Sequence, residues 1–381
     1  MPESSTIVII GPAHPLRGGL ASFNERLARQ FLQSGHHVII YTFSLQYPGF
    51  LFPGTTQFSS EPAPADLNIR VVINSVNPLN WLLIGKEIKE LKPVIVVVRY
   101  WLPFMGPCLG TILRQVKKNH FSKVVCIADN VIPHEKRIGD HAFTKYFIKP
   151  VDAFVTMSKK VMADLRLFDA QKPAVFVSHP LYDNFGEPVT KSAARTFLSL
   201  PPAEKLILFF GFIRQYKGLD LLLEAMADPR IKASGIKLVV AGEFYDDSHP
   251  YLEQIKKLDI TETVILRTEF IPDSQVKYYL CAADLVVQPY KNATQSGVTP
   301  LAYHFEKPMI VTRVGALPDM VPHKKAGLVA EPNAASLADE ILNFYTLGES
   351  YFIPNLREEK KKYTWDLMEQ NIKLLANGIQ K

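Results

Sequence analysis

The sequence predicts an α/β chain of two doubly wound halves, each a parallel sheet with helices on both faces. Three observations predict this. Short β-branched runs alternate with helical patterns from end to end. At 381 residues the chain is long for a single core. Near the middle, Tyr182–Ala203 carries Asn184, Gly186, Pro188, Pro201 and Pro202 and reads as an irregular linker. The expected domains are therefore 1–183 and 184–363, with a last helix, 364–381, packing back onto the first.

In order, the first half offers strands at Thr6–Ile10, His37–Phe43, Val94–Val98, Lys123–Ala128, Ala153–Met157 and Val175–Ser178. The second offers Leu206–Phe210, Lys237–Ala241, Val264–Leu266, Leu285–Gln288 and Met309–Thr312. After a break expected around Ile353-Pro354, Thr364 opens an amphipathic helix with Trp365, Met368, Ile372 and Leu375 on one face.

Composition narrows the classes. Hydrophobic residues make up 47% and charged residues 21%, which describes a globular protein rather than a disordered one. Cys108, Cys126 and Cys281 lie far apart with no paired spacing, arguing for a reducing compartment and against a disulfide framework or zinc site. The N-terminus runs straight into a strand without a secretory pattern, so a cytoplasmic location is expected. The most membrane-like run, Pro93–Leu113, is interrupted by Arg99, Pro103 and Pro107 and reads as strand, loop and helix. Between Lys86 and Lys160 fourteen Lys or Arg face six Asp or Glu, a balance of +8 against +6 for the whole chain. This stretch reads as solvated helix faces or as a surface for an anionic acceptor or phospholipid headgroups. Arg17, together with Trp101, Lys117, Lys118 and Arg137 of this stretch, is an acceptor or membrane candidate. No nucleic-acid partner is expected.

In doubly wound sheets ligands bind at the C-terminal ends of the strands, and four segments reach such ends. The strongest signal follows Leu206–Phe210. An apolar run stops at Gly211, a loop holds Arg214 and Lys217, and a helix begins near Gly218. Two cations beside the free amides of a helix N-terminus suit a phosphate group. Glu243 ends the following strand. After the first strand, Gly18 and Gly19 precede a helix and let a ligand approach its amides; a simple glycine turn is the plainer reading. Asp129, with His134 close behind, ends the fourth strand, where each could contact a hydroxyl or take its proton, or merely cap a turn. Finally, Thr294, Gln295, Ser296 and Gly297 precede a helix running to Phe305, as diphosphate donors or as a plain cap.

Taken together, the Gly18-Gly19 turn, the Phe-Phe-Gly…Arg-x-x-Lys-Gly loop, the Val-Val-Ala-Gly-Glu strand and the run from Ala282 to Asp319 resemble the retaining GT-B glycosyltransferases of the family 4 type, glycosyl transferases group 1. The resemblance implies two Rossmann-like domains facing a central cleft, with the acceptor in the first and a nucleotide-diphosphate sugar in the second. It implies no required metal and no cofactor, because Arg214 and Lys217 neutralise the leaving diphosphate. A glycan or lipid-linked acceptor in bacterial surface polysaccharide synthesis is expected. The basic first half with the aromatic loop Tyr100–Met105 would suit such an acceptor at the inner face of a bacterial membrane, making the protein peripheral to it. Two departures stand out. The family's pair of glutamates falls at Ala293 and Leu301, with Glu306 out of register. The arginine that usually follows Gly211 is Phe212, and Arg214 lies two positions on. The Ala293-Thr-Gln-Ser-Gly297 loop is similar to that of a bacterial branch of the family. On this reading Arg214, Lys217 and the Gln295–Gly297 amides carry the leaving group. The departing phosphate takes the acceptor proton, and Asp129 and His134 position the acceptor. A catalytically silent partner subunit or a nucleotide-sugar epimerase of the same fold are the competing readings.

Overall fold

A computed structural model describes residues 4–48, 56–133, 139–293 and 296–378. The chain divides into two compact units, Met1–Ser178 with Thr364–Lys381, and His179–Tyr363.

The first unit is built on a seven-stranded parallel sheet. Its strands are β1 (Thr6–Ile10), β2 (His37–Leu45), β3 (Ile69–Asn74), β4 (Ile95–Tyr100), β5 (Lys123–Ala128), β6 (Ala153–Thr156) and β7 (Ala174–Phe176), in the order β3-β2-β1-β4-β5-β6-β7. The chain steps outward from β1 to β3, returns to β4 beside β1, and then steps the other way. The inner strands are continuous β-branched runs because both of their faces are covered. On one face Val96, Val98 and Tyr100 pack with the helices Pro78–Leu91 and Gly106–Lys117, and Tyr100 stacks on Phe147 at 4.0 Å between ring centroids. The strand β3 is absent from the sequence reading. It is an edge strand with Arg70 and Val71 exposed, so it lacks the apolar run that marks its neighbours. Cys108, Cys126 and Cys281 are separately buried.

The last helix, Trp365–Gly378, belongs to this unit. Its Trp365 ring lies 4.8 Å from Phe23 of the helix Gly19–Gln33, and the Arg26 guanidinium lies 5.0 Å from the indole. Gln30 Nε2 donates to Asp366 at 2.8 Å and to Glu369 at 3.0 Å, and Ser34 Oγ donates to Glu369 at 2.8 Å. Lys373 neutralises the same glutamate. An aromatic anchor thus sets the helix down and a satisfied carboxylate sets its rotation.

The second unit carries six parallel strands, β8 (Lys205–Phe210), β9 (Ile236–Ala241), β10 (Val264–Arg267), β11 (Leu285–Gln288), β12 (Met309–Thr312) and β13 (Gly327–Ala330), in the order β10-β9-β8-β11-β12-β13. The sequence reading lacks β13, which is four residues long and starts on a glycine. That glycine is needed, since a Cβ on Gly327 would lie 1.9 Å from the Met309 carbonyl oxygen of the neighbouring strand.

Two expectations are corrected here. The stretch expected to be an irregular linker contains the helix Lys191–Phe197, capped by Thr190. Its Arg195 is buried, donates to the carbonyls of Ala282, Pro202 and Glu204, and pairs with Asp284. Nor does the chain break at Ile353-Pro354. The helix Glu349–Lys360 runs through the proline, because Phe352 and Leu356, both fully buried, hold its turns to the core on either side. Among the described residues no helix is long and apolar enough to cross a membrane.

Replacing Trp365 by alanine should remove about 3–5 kcal/mol of first-unit stability by deleting a buried indole. Urea unfolding followed by circular dichroism measures it, and a loss below 1 kcal/mol would mean that the last helix is not anchored there.

Candidate functional site

The order of each sheet reverses once, between β1 and β4 in the first unit and between β8 and β11 in the second. Loops leaving the strand ends at such a reversal diverge and leave room for a ligand. In the second unit these are Gly211–Gly218, after β8, and Pro289–Gly297, after β11.

The Gly211 loop does not wander. Beyond the strand ends it keeps bonding to the chain that follows β9: Gly211 N–H donates to the Ala241 carbonyl, Ile213 to Glu243 and Tyr245 to Ile213, at 2.9, 2.8 and 3.0 Å. Gly242 permits this closeness, since a Cβ there would lie 2.4 Å from the Gly211 carbonyl oxygen. A short turn, Gln215–Lys217, then leads through Gly218 into the helix Leu219–Met226. Gly218 has φ +68° and faces the Pro289 carbonyl so closely that a Cβ would sit 2.0 Å from that oxygen. The Lys291 amide donates to the Tyr216 carbonyl at 2.8 Å. The two loops are therefore held together at the middle of this turn and just after it.

Lys217 lies in the angle between them. Its ammonium sits 3.3 Å from where a Gly211 Cβ would be, and 5.8 Å from the centroid of the buried Tyr290 ring. Arg214 stacks on Tyr245 at 5.0 Å, and Tyr245 packs at 4.2 Å against Phe212, which stands beside Phe270. Among the described residues neither cation has a carboxylate partner. The nearby carboxylates are occupied: Asp220 holds Lys291 and Asp246 accepts from the Gln215 amide. Burial pushes the Lys217 ammonium down to about 7, and the Arg214 charge pushes the same way.

The other expected donor residues are less open. Ser296 is buried. Its hydroxyl donates to Gln288 Oε1 at 2.6 Å and accepts from the Val298 amide at 3.1 Å, so the side chain is spent inside the unit. Gly297 precedes the helix Val298–His304, only seven residues long, and borders Tyr182. Glu243 is buried at the end of β9. Thr294 and Gln295 lie outside the described residues. Ala293 and Leu301, which stand where the family's glutamates fall, are both buried.

In the first unit Gly18, with φ +99°, precedes the helix Gly19–Gln33, and its carbonyl accepts from Ala21. Asp129 follows β5 and is buried in a bidentate pair with Arg99, Nε to Oδ2 at 2.5 Å and Nη2 to Oδ1 at 2.6 Å. The guanidinium lies 3.9 Å from the Phe23 ring centroid. Sequence reasoning saw Arg99 only as an interruption. A cation at the end of an otherwise apolar strand was the signal that Asp129 has a fixed partner. Arg17 Nε donates to the Thr56 carbonyl, and the Trp101 indole N–H donates to the Tyr47 hydroxyl. The expected basic surface is partly neutralised in place. Lys117 pairs with Asp152 at 2.7 Å, Lys86 with Glu90 and Lys160 with Asp164, while Lys118 donates to Gln115. His134 and Arg137 lie outside the described residues.

Part of the chain, and its fold, are similar to known proteins. Residues 204–346 match the family Glycosyl transferases group 1. An uncharacterized glycosyltransferase of Methanocaldococcus jannaschii is 25% identical over 92% of this chain and 91% of its own length. The D-inositol 3-phosphate glycosyltransferase of Segniliparus rotundus is 31% identical over 38% of this chain, which spans about a third (32%) of that relative. Among solved structures, HepE of Anabaena in complex with UDP and glucose superposes with a TM-score of 0.73 at 13% identity, over 98% of this chain and all (100%) of its own. The fold is GT-B.

The lysine makes a stability prediction with a definite sign. Its folded value, about 7, lies below the ordinary 10.5. Between the two the unfolded chain binds more protons, so this group's cost is complete below about 7 and disappears as pH rises past 10.5. Lys217→Met should therefore stabilise the protein, by more at pH 6 than at pH 10. Urea unfolding at both values checks it; a margin independent of pH would show an ordinary lysine.

Proposed function

We propose that this chain, whose second unit is a glycosyl transferases group 1 domain, is a retaining glycosyltransferase that moves a sugar from a nucleotide-diphosphate donor to a hydroxyl of a glycan or lipid-linked acceptor. The observation that carries this reading is Lys217. Its ammonium is kept partly out of water at the reversal of the second sheet, beside Arg214, without a carboxylate among the described residues. A cation so placed is unfavourable until an anion arrives. A diphosphate supplies that anion, and in the transfer its charge grows as the bond to the anomeric carbon breaks. A cation placed for that growth lowers the barrier more than it tightens ground-state binding.

Lys217 and Arg214 would then carry charge that a divalent ion carries in other transferases, so metal-independent transfer belongs to the proposal. The helix after β11 is short and Ser296 is turned inward, which leaves most of the work to the two cations and the opening of the helix Leu219–Met226. The acceptor's proton goes to the departing phosphate oxygen. Asp129 supports that assignment, because both its carboxylate oxygens already accept from Arg99. It is a positioning group in this reading. The aromatic ladder of Phe212, Tyr245 and Phe270 gives a planar base or a sugar ring a surface to lie on. Peripheral contact with an anionic membrane remains part of the proposal on the strength of the exposed Lys145 and Lys149 beside exposed Phe143 and Tyr146.

The test is calorimetric and thermal-shift binding of UDP, GDP, ADP and CMP, then transfer from the matching nucleotide sugar with the product's anomeric configuration read by NMR. One nucleotide diphosphate should stabilise the wild type and not Lys217→Ala, with uptake of a proton at pH 8 as the lysine recharges. Turnover in Lys217→Ala should fall by about 100-fold or more and donor affinity by roughly tenfold. Equal losses would mean uniform binding and remove Lys217 from the chemistry. The buried apolar Ala293 and Leu301 favour one other reading, a silent subunit, which failure of every nucleotide to bind the folded wild type would establish.

A further inference from the structure

Near Lys217 lies a buried polar cluster centred on Gln288. Gln288, the last residue of β11, is 1% exposed. Its Oε1 accepts from Ser296 Oγ at 2.6 Å and from Thr299 Oγ1 at 3.1 Å. Among the described residues its Nε2 has no hydrogen-bond partner. An unpaired buried N–H group costs about 1–3 kcal/mol, which offsets much of what the two accepted hydrogen bonds contribute. Core stability alone therefore gives little net reason for a glutamine at this position.

Placement gives one. Ser296 Oγ, held by Gln288, approaches the Tyr290 hydroxyl at 3.4 Å and accepts from the Val298 amide. The Tyr290 carbonyl in turn accepts from Thr312 Oγ1 at 2.5 Å. Tyr290 is thus gripped through its hydroxyl and through its backbone. Its ring stands edge-on to Tyr216 at 6.2 Å and forms the floor 5.8 Å below the Lys217 ammonium. On the far side the ammonium meets Gly211, and Val298 lies 3.7 Å from the Gly211 Cβ position.

We propose that Gln288 is a positioning residue of the donor site: through Ser296 it fixes the Tyr290 ring beneath Lys217 and holds the ammonium over Gly211. The phosphate end of this chain rests on the nucleotide-sugar reading; the link from Gln288 to Lys217 does not. The charged group acting on Lys217 is Arg214, Asp220 and Asp246 are taken by Lys291 and the Gln215 amide, and burial keeps the phenols of Tyr216 and Tyr290 neutral. Loosening the floor lets water reach the lysine, and its titration should move back toward that of an ordinary lysine.

The experiment compares wild type, Gln288→Met, Ser296→Ala and the hydroxyl-retaining Ser296→Thr. The first readout needs no ligand: acetylation of Lys217 by acetic anhydride against pH, followed by mass spectrometry, gives the midpoint of its titration. The wild-type midpoint should lie near 7. It should rise by about one unit or more in Gln288→Met and Ser296→Ala, and return toward wild type in Ser296→Thr. The second readout is affinity for the nucleotide diphosphate that binds the wild type, expected to fall about 5- to 20-fold in the first two variants, with an unchanged melting temperature in Gln288→Met. An unmoved midpoint in both variants overturns the proposal, as does loss of affinity that merely follows loss of folding. If no nucleotide binds the wild type while the midpoint moves as stated, the positioning link stands and the donor reading falls.

Discussion

The structure depends on how a cation is kept at the point where the second sheet reverses. Lys217 is held between the glycine that ends β8 and the tyrosine that follows β11. Everything near it serves that arrangement. Gly218 accepts an approach to the Pro289 carbonyl that no side chain permits, and Gly242 accepts the same from Gly211. The loop strands continue to pair beyond the sheet. A flexible four-carbon side chain ordinarily spends its freedom in water. Here the position between Gly211 and the Tyr290 ring limits that choice, and burial together with the Arg214 charge lowers the ammonium's affinity for a proton.

The first unit shows the opposite solution at the equivalent place in its own topology. Arg99 is the penultimate residue of β4, next to β1, as Lys217 follows β8, next to β11. Arg99 is buried more completely, and Asp129 neutralises it with two hydrogen bonds. One nitrogen, Nη1, has no partner among the described residues. A guanidinium has the planar fork that suits a permanent carboxylate pair, whereas an ammonium is a compact charge that can titrate and meet an incoming phosphate. The two cations therefore differ in residue type for the same reason that they differ in partner.

Much of the architecture was legible because parallel strands covered on both faces must be written as unbroken β-branched runs. Lys123–Ala128, Leu285–Gln288 and Met309–Thr312 were read to the residue. The strands that escaped, β3 and β13, are those in which an exposed edge or an obligatory glycine breaks the run. Pro354 misled in the other direction: local propensity argued for a break, and the burial of Phe352 and Leu356 outweighed it. At the site, the Arg214 and Lys217 loop stood out by composition. The roles of Gln288, Tyr290 and Arg99 did not, because each is an ordinary residue at the end of a strand until its neighbour is known.

By itself the sequence determined which segments are strands and helices, where the two cations fall relative to a strand end, and the resemblance to a glycosyltransferase family. These are local properties, set by side-chain period, turn chemistry and charge along the chain. Only the tertiary structure decided which polar groups are spent on one another. Ser296 turns inward because Gln288 meets it, Asp129 is claimed by a residue 30 positions away, and Lys117 is taken by Asp152. Lys217 stays unclaimed among the described residues. A hydrogen bond or ion pair depends on distances of about 3 Å between atoms far apart in the chain, and no pattern along the sequence encodes such a distance.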